Sequence, residues 1–258
     1  GDLQALEAVL RRSPQDTFAR YARMLLTGDS VSDFVRGRPQ DVIDAALDFM
    51  RAGLYDAAVQ VLETCSKPDQ MVHYYRAYCT GKPAGHVDIQ LCFPNRLEDI
   101  AVLRHFSRDW QAQYLLGCLY YDRMNYAAAV TAWQESLRLN DAYAFAWRNL
   151  AQAQYDHLHQ PDQARLSLEK ALALAPDNAR IVYELLQLYK NLHMPVSDRL
   201  AFLELHETLV RQRDDCFLEM IILYIQEGRF GRARDLLLSK RFNIYEGGEG
   251  KLTRMHGW

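Results

Sequence analysis

The chain has 258 residues, 49% of them hydrophobic and 24% charged, which is enough apolar material to bury a core and too much for intrinsic disorder. A formal net charge of -3 argues against a protein that works by neutralising many phosphates, so no nucleic-acid partner is predicted. Glycine and proline supply only 21 residues, fewer than a β-rich fold with a turn every roughly 8–12 residues would need, and helices are expected throughout.

In chain order, residues 3–12 and 17–26 read as helices separated by Ser13-Pro14-Gln15-Asp16. The first has the pattern of the second helix of a pair and the next that of the first helix of another. With Gly1 at the start and no basic-then-apolar leader, this predicts a sequence that opens inside a longer array. An early pair follows around Gly53, Tyr55, Ala58 and Leu62. Residues 81–97 carry Gly81, Pro83 and Gly85 and lack a helical period, so they are expected to form a long ordered connection that serves packing. A helix is predicted near 98–106.

From residue 113 onward the pattern repeats. Leu116-Gly117, Tyr120, Asn125-Tyr126, Ala129, Trp133 and Leu137 form one set. Trp147, Leu150-Ala151, Tyr155, Ala164, Leu168, Ala171-Leu172 and Pro176 form the next, with one inserted residue in the turn around 157–161. A looser set carries Leu185, Tyr189, Ala201 and Leu205, and another Tyr224, Gly228, Phe230, Ala233 and Leu237. Small residues let two antiparallel helices approach closely, and a bulky residue one turn on fills the gap to the next pair. Gly117 and Ala151 are thus expected to face Ala129 and Ala164, with Trp133, Leu168, Leu205 and Leu237 as plugs. Asp141, Pro176-Asp177 and Asp214-Asp215 sit where helix N-caps are expected.

These positions resemble those of tetratricopeptide repeats over roughly residues 40–240. The resemblance implies an all-α, right-handed α-solenoid of about seven antiparallel helix pairs. It divides the chain into degenerate repeats (1–80), the connection (81–97), regular repeats (98–242) and a terminal turn and tail (243–258), in one continuous superhelix. A narrower resemblance lies in the segments 93–103, 116–122, 147–150, 210–215 and 246–250. Together they are similar to a bacterial family of multi-domain proteins with a mutarotase-like, β-rich domain ahead of a helical array, although Tyr245 stands where that family usually has Trp.

No catalytic, cofactor or metal site is predicted, and the array is expected to be non-enzymatic by itself. Residues 245–252 miss the phosphate-loop pattern, with Tyr245 and Leu252 at its glycine and Ser/Thr positions. His157 and His159 form the only close histidine pair and have no third ligand fixed nearby. His206-Glu207 is not followed by a histidine at 210. Five cysteines without C-x-x-C spacing read as reduced packing thiols, which suits a cytoplasmic protein. The longest apolar run, residues 220–225, is far too short to span a membrane.

What remains is a surface. In this repeat type the first helix of each pair lines the inner face. Helical phase selects Tyr114, Cys118, Tyr121 and Asp122; then Arg148, Asn149, Gln152 and Tyr155; then Arg180, Tyr183, Glu184, Gln187 and Lys190. Tyrosine and arginine combine area with a polar handle, and amides suit an extended backbone. The expected function is an interaction scaffold that holds a peptide, a partner protein or a neighbouring domain. The alternative is a helical accessory portion of a carbohydrate-active enzyme, with Arg148, Asn149 and Tyr183 on a glycan. Leu3, Leu6, Met255 and Trp258 are the residues through which self-association is expected.

Overall fold

The computed structural model describes residues 2–31 and 37–242. Among these, fifteen helices and no strand occur, so the protein is all-α. The chain divides into two compact units, Gly1–Leu139 and Asn140–Trp258, and each is a run of antiparallel helix pairs. The predicted turn at 246–250 and the predicted contacts Met255 and Trp258 lie outside the described residues.

The first unit contains α1 (Leu3–Arg12), α2 (Thr17–Thr27), α3 (Pro39–Arg51), α4 (Tyr55–Leu62), α5 (Gln70–Thr80), α6 (Leu97–His105), α7 (Trp110–Asp122) and α8 (Tyr126–Leu139). The second contains α9 (Ala144–Asp156), α10 (Pro161–Leu174), α11 (Ala179–Asn191), α12 (Val196–Leu205), the short α13 (Glu207–Val210), α14 (Asp214–Gln226) and α15 (Phe230–Ser239). With α13 as an appendage of α12, these make seven pairs. The structure joins α1 to α2 as a hairpin of their own, ahead of α3/α4, where the sequence suggested that they belong to different pairs.

The repeat is most visible in its turns. A residue with left-handed backbone follows the first helix at Gly53, Met124, His159, His193 and Gly228. The last four are spaced 35, 34 and 35 residues apart. In four of the five turns the next N–H reaches back five residues: Leu54 to the Phe49 carbonyl, Asn125 to Tyr120, Met194 to Tyr189 and Arg229 to Tyr224, at 2.9, 2.9, 3.0 and 2.9 Å. Such bonds satisfy carbonyls that a helix end otherwise leaves without partners. The turn at His159 holds the inserted residue, so Gln160 N–H reaches six back, to the Gln154 carbonyl at 2.8 Å.

Gly117 admits Trp133. A Cβ on Gly117 would lie 2.4 Å from the indole Cδ1 and Nε1, so the ring lies across α7 where a side chain would otherwise stand. The indole N–H donates to the Tyr114 carbonyl at 3.2 Å, and Trp133 is 2% exposed. Ala129, Ala151 and Ala164 are fully or nearly fully buried, and Leu168 fills its plug position.

Two expectations fail here. Leu205 is 80% exposed, because α12 ends there and His206 leaves helical geometry, so the buried plugs are Leu203 and Val210. On α15 the buried leucine is Leu236, while Leu237 is half-buried against the same cluster. The caps are displaced too. Asn178 rather than Asp177 caps α11, accepting from the N–H groups of Arg180 and Ile181 at 3.1 and 3.3 Å. Asp141 instead offers its carbonyl to the Trp147 indole at 2.8 Å, and Asp214 lies inside the first turn of α14.

The connection between α5 and α6 is fastened by side chains. Gln70, fully buried, donates to the Gly85 carbonyl at 2.9 Å and accepts from Val87 N–H at 2.8 Å. Gln111 donates to the Val87 carbonyl at 3.1 Å and lies 2.6 Å from His86 Nδ1. Ile89, Cys92 and Pro94 point inward, whereas Leu91, Phe93 and Leu97 are exposed. At the end of the connection Asp99, fully buried, accepts from the Tyr75 hydroxyl at 2.6 Å and from the N–H groups of Asn95 and Arg96 at 2.9 and 3.0 Å.

Candidate functional site

The predicted surface residues fall in different places in the two units. In the first, Tyr121 packs on Trp133 and Tyr126, with ring centroids 5.6 and 5.2 Å apart, so it bridges α7 and α8. Tyr114 and Cys118 are half-buried beside it. Asp122 is exposed, 3.7 Å from Arg123. An open depression beside this hairpin uses another face of α7, through Gln113, Leu116 and Tyr120, with Arg104 of α6 and Arg138 of α8 on its rim. Of the phase-derived group on α7, Tyr121 thus bridges helices within its own hairpin.

In the second unit a cavity of about 300 Å³ opens between α9 and α11. From α9 come Arg148, Gln152, Tyr155 and Asp156; from α11 come Arg180, Tyr183, Glu184, Gln187 and Asn191; Ala151, Leu168 and Leu188 complete the lining. The i, i+4, i+7 spacing on each helix puts these side chains on one stripe, and the repeat sets the stripes side by side. Of the predicted residues, Asn149 is half-buried outside this lining. Lys190 is turned away, its ammonium 3.1 Å from the buried carboxylate of Glu219 on α14.

The electrostatics of the cavity could not be read from phase. Arg148 grips Glu184 with two parallel bonds, Nε to Oε2 at 2.6 Å and Nη2 to Oε1 at 2.5 Å, and Arg180 Nε adds a third at 2.9 Å. Arg148 was expected to face a ligand freely; it is instead mostly buried and committed to a carboxylate 36 residues on. Bidentate arginine–carboxylate pairs of this kind are short, strong and geometrically fixed. The lining carries two guanidinium groups and two carboxylates, those of Glu184 and Asp156, and is formally neutral. Beside it, Arg213 lies 5.2 Å from the Tyr183 ring centre, and hydrogen bonding to Asp215 raises its pKa above the ordinary guanidinium value.

One polar atom behind the lining stands out. Gln187 Nε2 is buried and has no hydrogen-bond partner. Buried donors left unmet cost about 1–3 kcal/mol, and native proteins leave few of them. Helical phase places Gln187 on this face, but its hydrogen-bond partners depend on the neighbouring helices, which phase does not show.

Among the described residues no group of three or more His, Cys, Asp and Glu side chains could hold a metal. His157 is the C-cap of α9, and His159 is the left-handed residue of the following turn. No described helix is long and apolar enough to cross a membrane.

A left-handed turn recurring every 34 or 35 residues, small residues where paired helices meet and a bulky plug beyond them define an all-α array of repeated helix pairs. No protein-family model matches the chain. Among solved structures it is similar to YrrB, described as a TPR protein with an unusual peptide-binding site, at 12% identity over 99% of this chain and 94% of that one, with a TM-score of 0.44. It is also similar to TTC0263, a thermophilic TPR protein of Thermus thermophilus, at 19% identity over 72% and 99% of the two chains, TM-score 0.44. A third is MamA, residues 41 to the end, from Desulfovibrio magneticus RS-1, at 15% identity over 78% and 92%, TM-score 0.44.

Proposed function

We propose that the protein is an interaction scaffold and that the cavity between α9 and α11 receives an extended peptide segment of a partner protein. The observation that carries this reading is a cleft walled by two tyrosines and three amides, Tyr155, Tyr183, Gln152, Gln187 and Asn191, set side by side on α9 and α11. A peptide backbone supplies a carbonyl every residue, and tyrosines flanking a narrow cleft offer it rigid contact area at low entropic cost. The glycan alternative has less support, since it assigned the sugar to Arg148, Asn149 and Tyr183, and of the three only Tyr183 keeps its expected place. The first is held by Glu184 and the second lies outside the lining. The unbridged, burial-raised thiols of Cys79, Cys92 and Cys216 fit a reducing compartment such as the cytoplasm.

The test is selection of a random heptapeptide display library on the full chain, followed by titration of the enriched peptides. Tyr183→Ala and Gln187→Leu are each expected to weaken binding about tenfold while leaving the thermal melt near that of the parent. Absence of enrichment, or enriched peptides that bind both variants as well as the parent, would refute the reading.

A further inference from the structure

The cavity holds two arginines, and an arginine-bearing cleft would ordinarily be matched to an acidic partner. Its charge has already been met from within. The Glu184 carboxylate sits where the forks of Arg148 and Arg180 converge and accepts three charge-assisted bonds of 2.5 to 2.9 Å. We propose that Glu184 is the specificity-determining residue of this cleft: by serving as its built-in counter-ion, it makes the site select an uncharged, extended peptide segment over an acidic one. The inference rests on the peptide reading above.

An incoming carboxylate that sought Arg148 would have to displace one that is tethered to α11 and therefore present at a high local concentration, which leaves it only the outer edge of the exposed Arg180. Success would leave Glu184 without its guanidinium partners in a site where its side chain is only 27% exposed, and stranding a partly buried charge is costly. A cationic segment fares no better, because Arg148 and Arg180 stand on the two walls and only the exposed Asp156 remains as an unmatched anion in the lining. The neighbouring charges are matched as well: Arg213 by Asp215 at 2.7 Å, and Lys190 by Glu219 at 3.1 Å. Around this ion cluster the lining is otherwise neutral, two tyrosines and the amides of Gln152, Gln187 and Asn191, whose complement is a peptide main chain.

The same heptapeptide library, panned on the parent, on Glu184→Gln and on the double variant Arg148→Gln/Glu184→Gln, tests this directly. On the parent, enriched peptides should be depleted in Asp and Glu. Their affinity should change by less than about twofold between about 50 and 500 mM salt, because no long-range charge attraction contributes. Hexaglutamate, as a defined acidic probe, should not bind the parent at the lower salt. Glu184→Gln should acquire acidic peptides and hexaglutamate, with a gain of about tenfold or more that falls steeply with salt, and the double variant should lose that gain.

Acidic peptides enriched on the parent, or a preference that Glu184→Gln leaves unchanged, would overturn the proposal while the peptide site itself stood. Loss of all enrichment would sink the site instead. If Glu184→Gln fails to fold, the parent's salt dependence and its response to hexaglutamate still decide the matter.

Discussion

The hairpins α7/α8 and α11/α12 use the same turn and different plugs. In both, a left-handed residue follows the first helix, Met124 in one and His193 in the other, and the next N–H closes five residues back. Beyond the turn they diverge. The α8 helix runs unbroken for 14 residues and lays Trp133 across Gly117. The α12 helix stops at Leu205, turns outward, and hands its core position to Leu203 and Val210. The lesson is that the turn fixes the pairing of two helices, while the filling between pairs is open to different solutions so long as the volume is occupied.

The largest expected effect separates the plugs. Trp133→Ala should cost about 3–5 kcal/mol and Leu203→Ala about 2–4 kcal/mol in urea unfolding, whereas Leu205→Ala should stay within about 0.5 kcal/mol. Equal losses at 203 and 205 would restore the repeat-based assignment and break the contrast. Gly117→Ala should destabilise by about 1–3 kcal/mol despite the better helix propensity of alanine, since the new methyl meets the indole ring. No comparable steric demand is placed on exposed Gly231 of α15, where a Cβ meets nothing within 4 Å, so Gly231→Ala should be neutral or stabilising by up to about 1 kcal/mol.

Alkaline pH sharpens the comparison between units. Burial pushes the Cys92 thiol of the first unit and the Cys216 thiol of the second up to about 12, from an ordinary 9.0. Between those values the folded chain keeps protons that the unfolded chain has released. The unfolded state then binds fewer protons, and stability falls as pH rises, by about 1.4 kcal/mol per pH unit for each thiol. Below pH 9 this loss is absent. Urea midpoints taken from about pH 8 to about 10.5 should show the decline, and Cys216→Ala should reduce its slope.

The smallest effect concerns the turns. Met124→Gly and His193→Gly should each stabilise by up to about 1 kcal/mol, because both residues are exposed and hold a backbone conformation that glycine adopts without strain. A loss of stability at either would mean that the side chain, not the backbone, governs the turn.

Much of this architecture could be read from residue spacing, since Gly117, Ala129, Trp133 and their counterparts recur in phase and helices keep their period. The gathering of Gln152, Tyr155, Tyr183 and Gln187 on one cleft follows from the same arithmetic. Spacing is blind to lateral partners, however. Nothing in the series around Arg148 points to Glu184, because that encounter depends on how far two neighbouring helices slide past each other. Helix termini were misread for a related reason: Asp177 and Asn178 are equally good caps on paper, and only the path of the chain chooses between them. The left-handed residues Met124, His159 and His193 carry no glycine to mark them, although the inserted residue does signal the turn around 157–161.

The connection ahead of α6 carries a separate implication. One glutamine side chain, Gln70, answers both a carbonyl and an N–H of a segment that has neither helix nor ladder to supply them. Clasped in this way from one side, the segment can change its outward residues, Leu91 and Phe93 among them, without touching what fastens it. Sequence drift or engineered decoration should therefore be tolerated on that outer edge, whereas an exchange of Gln70 should loosen the stretch from Gly85 to Val87.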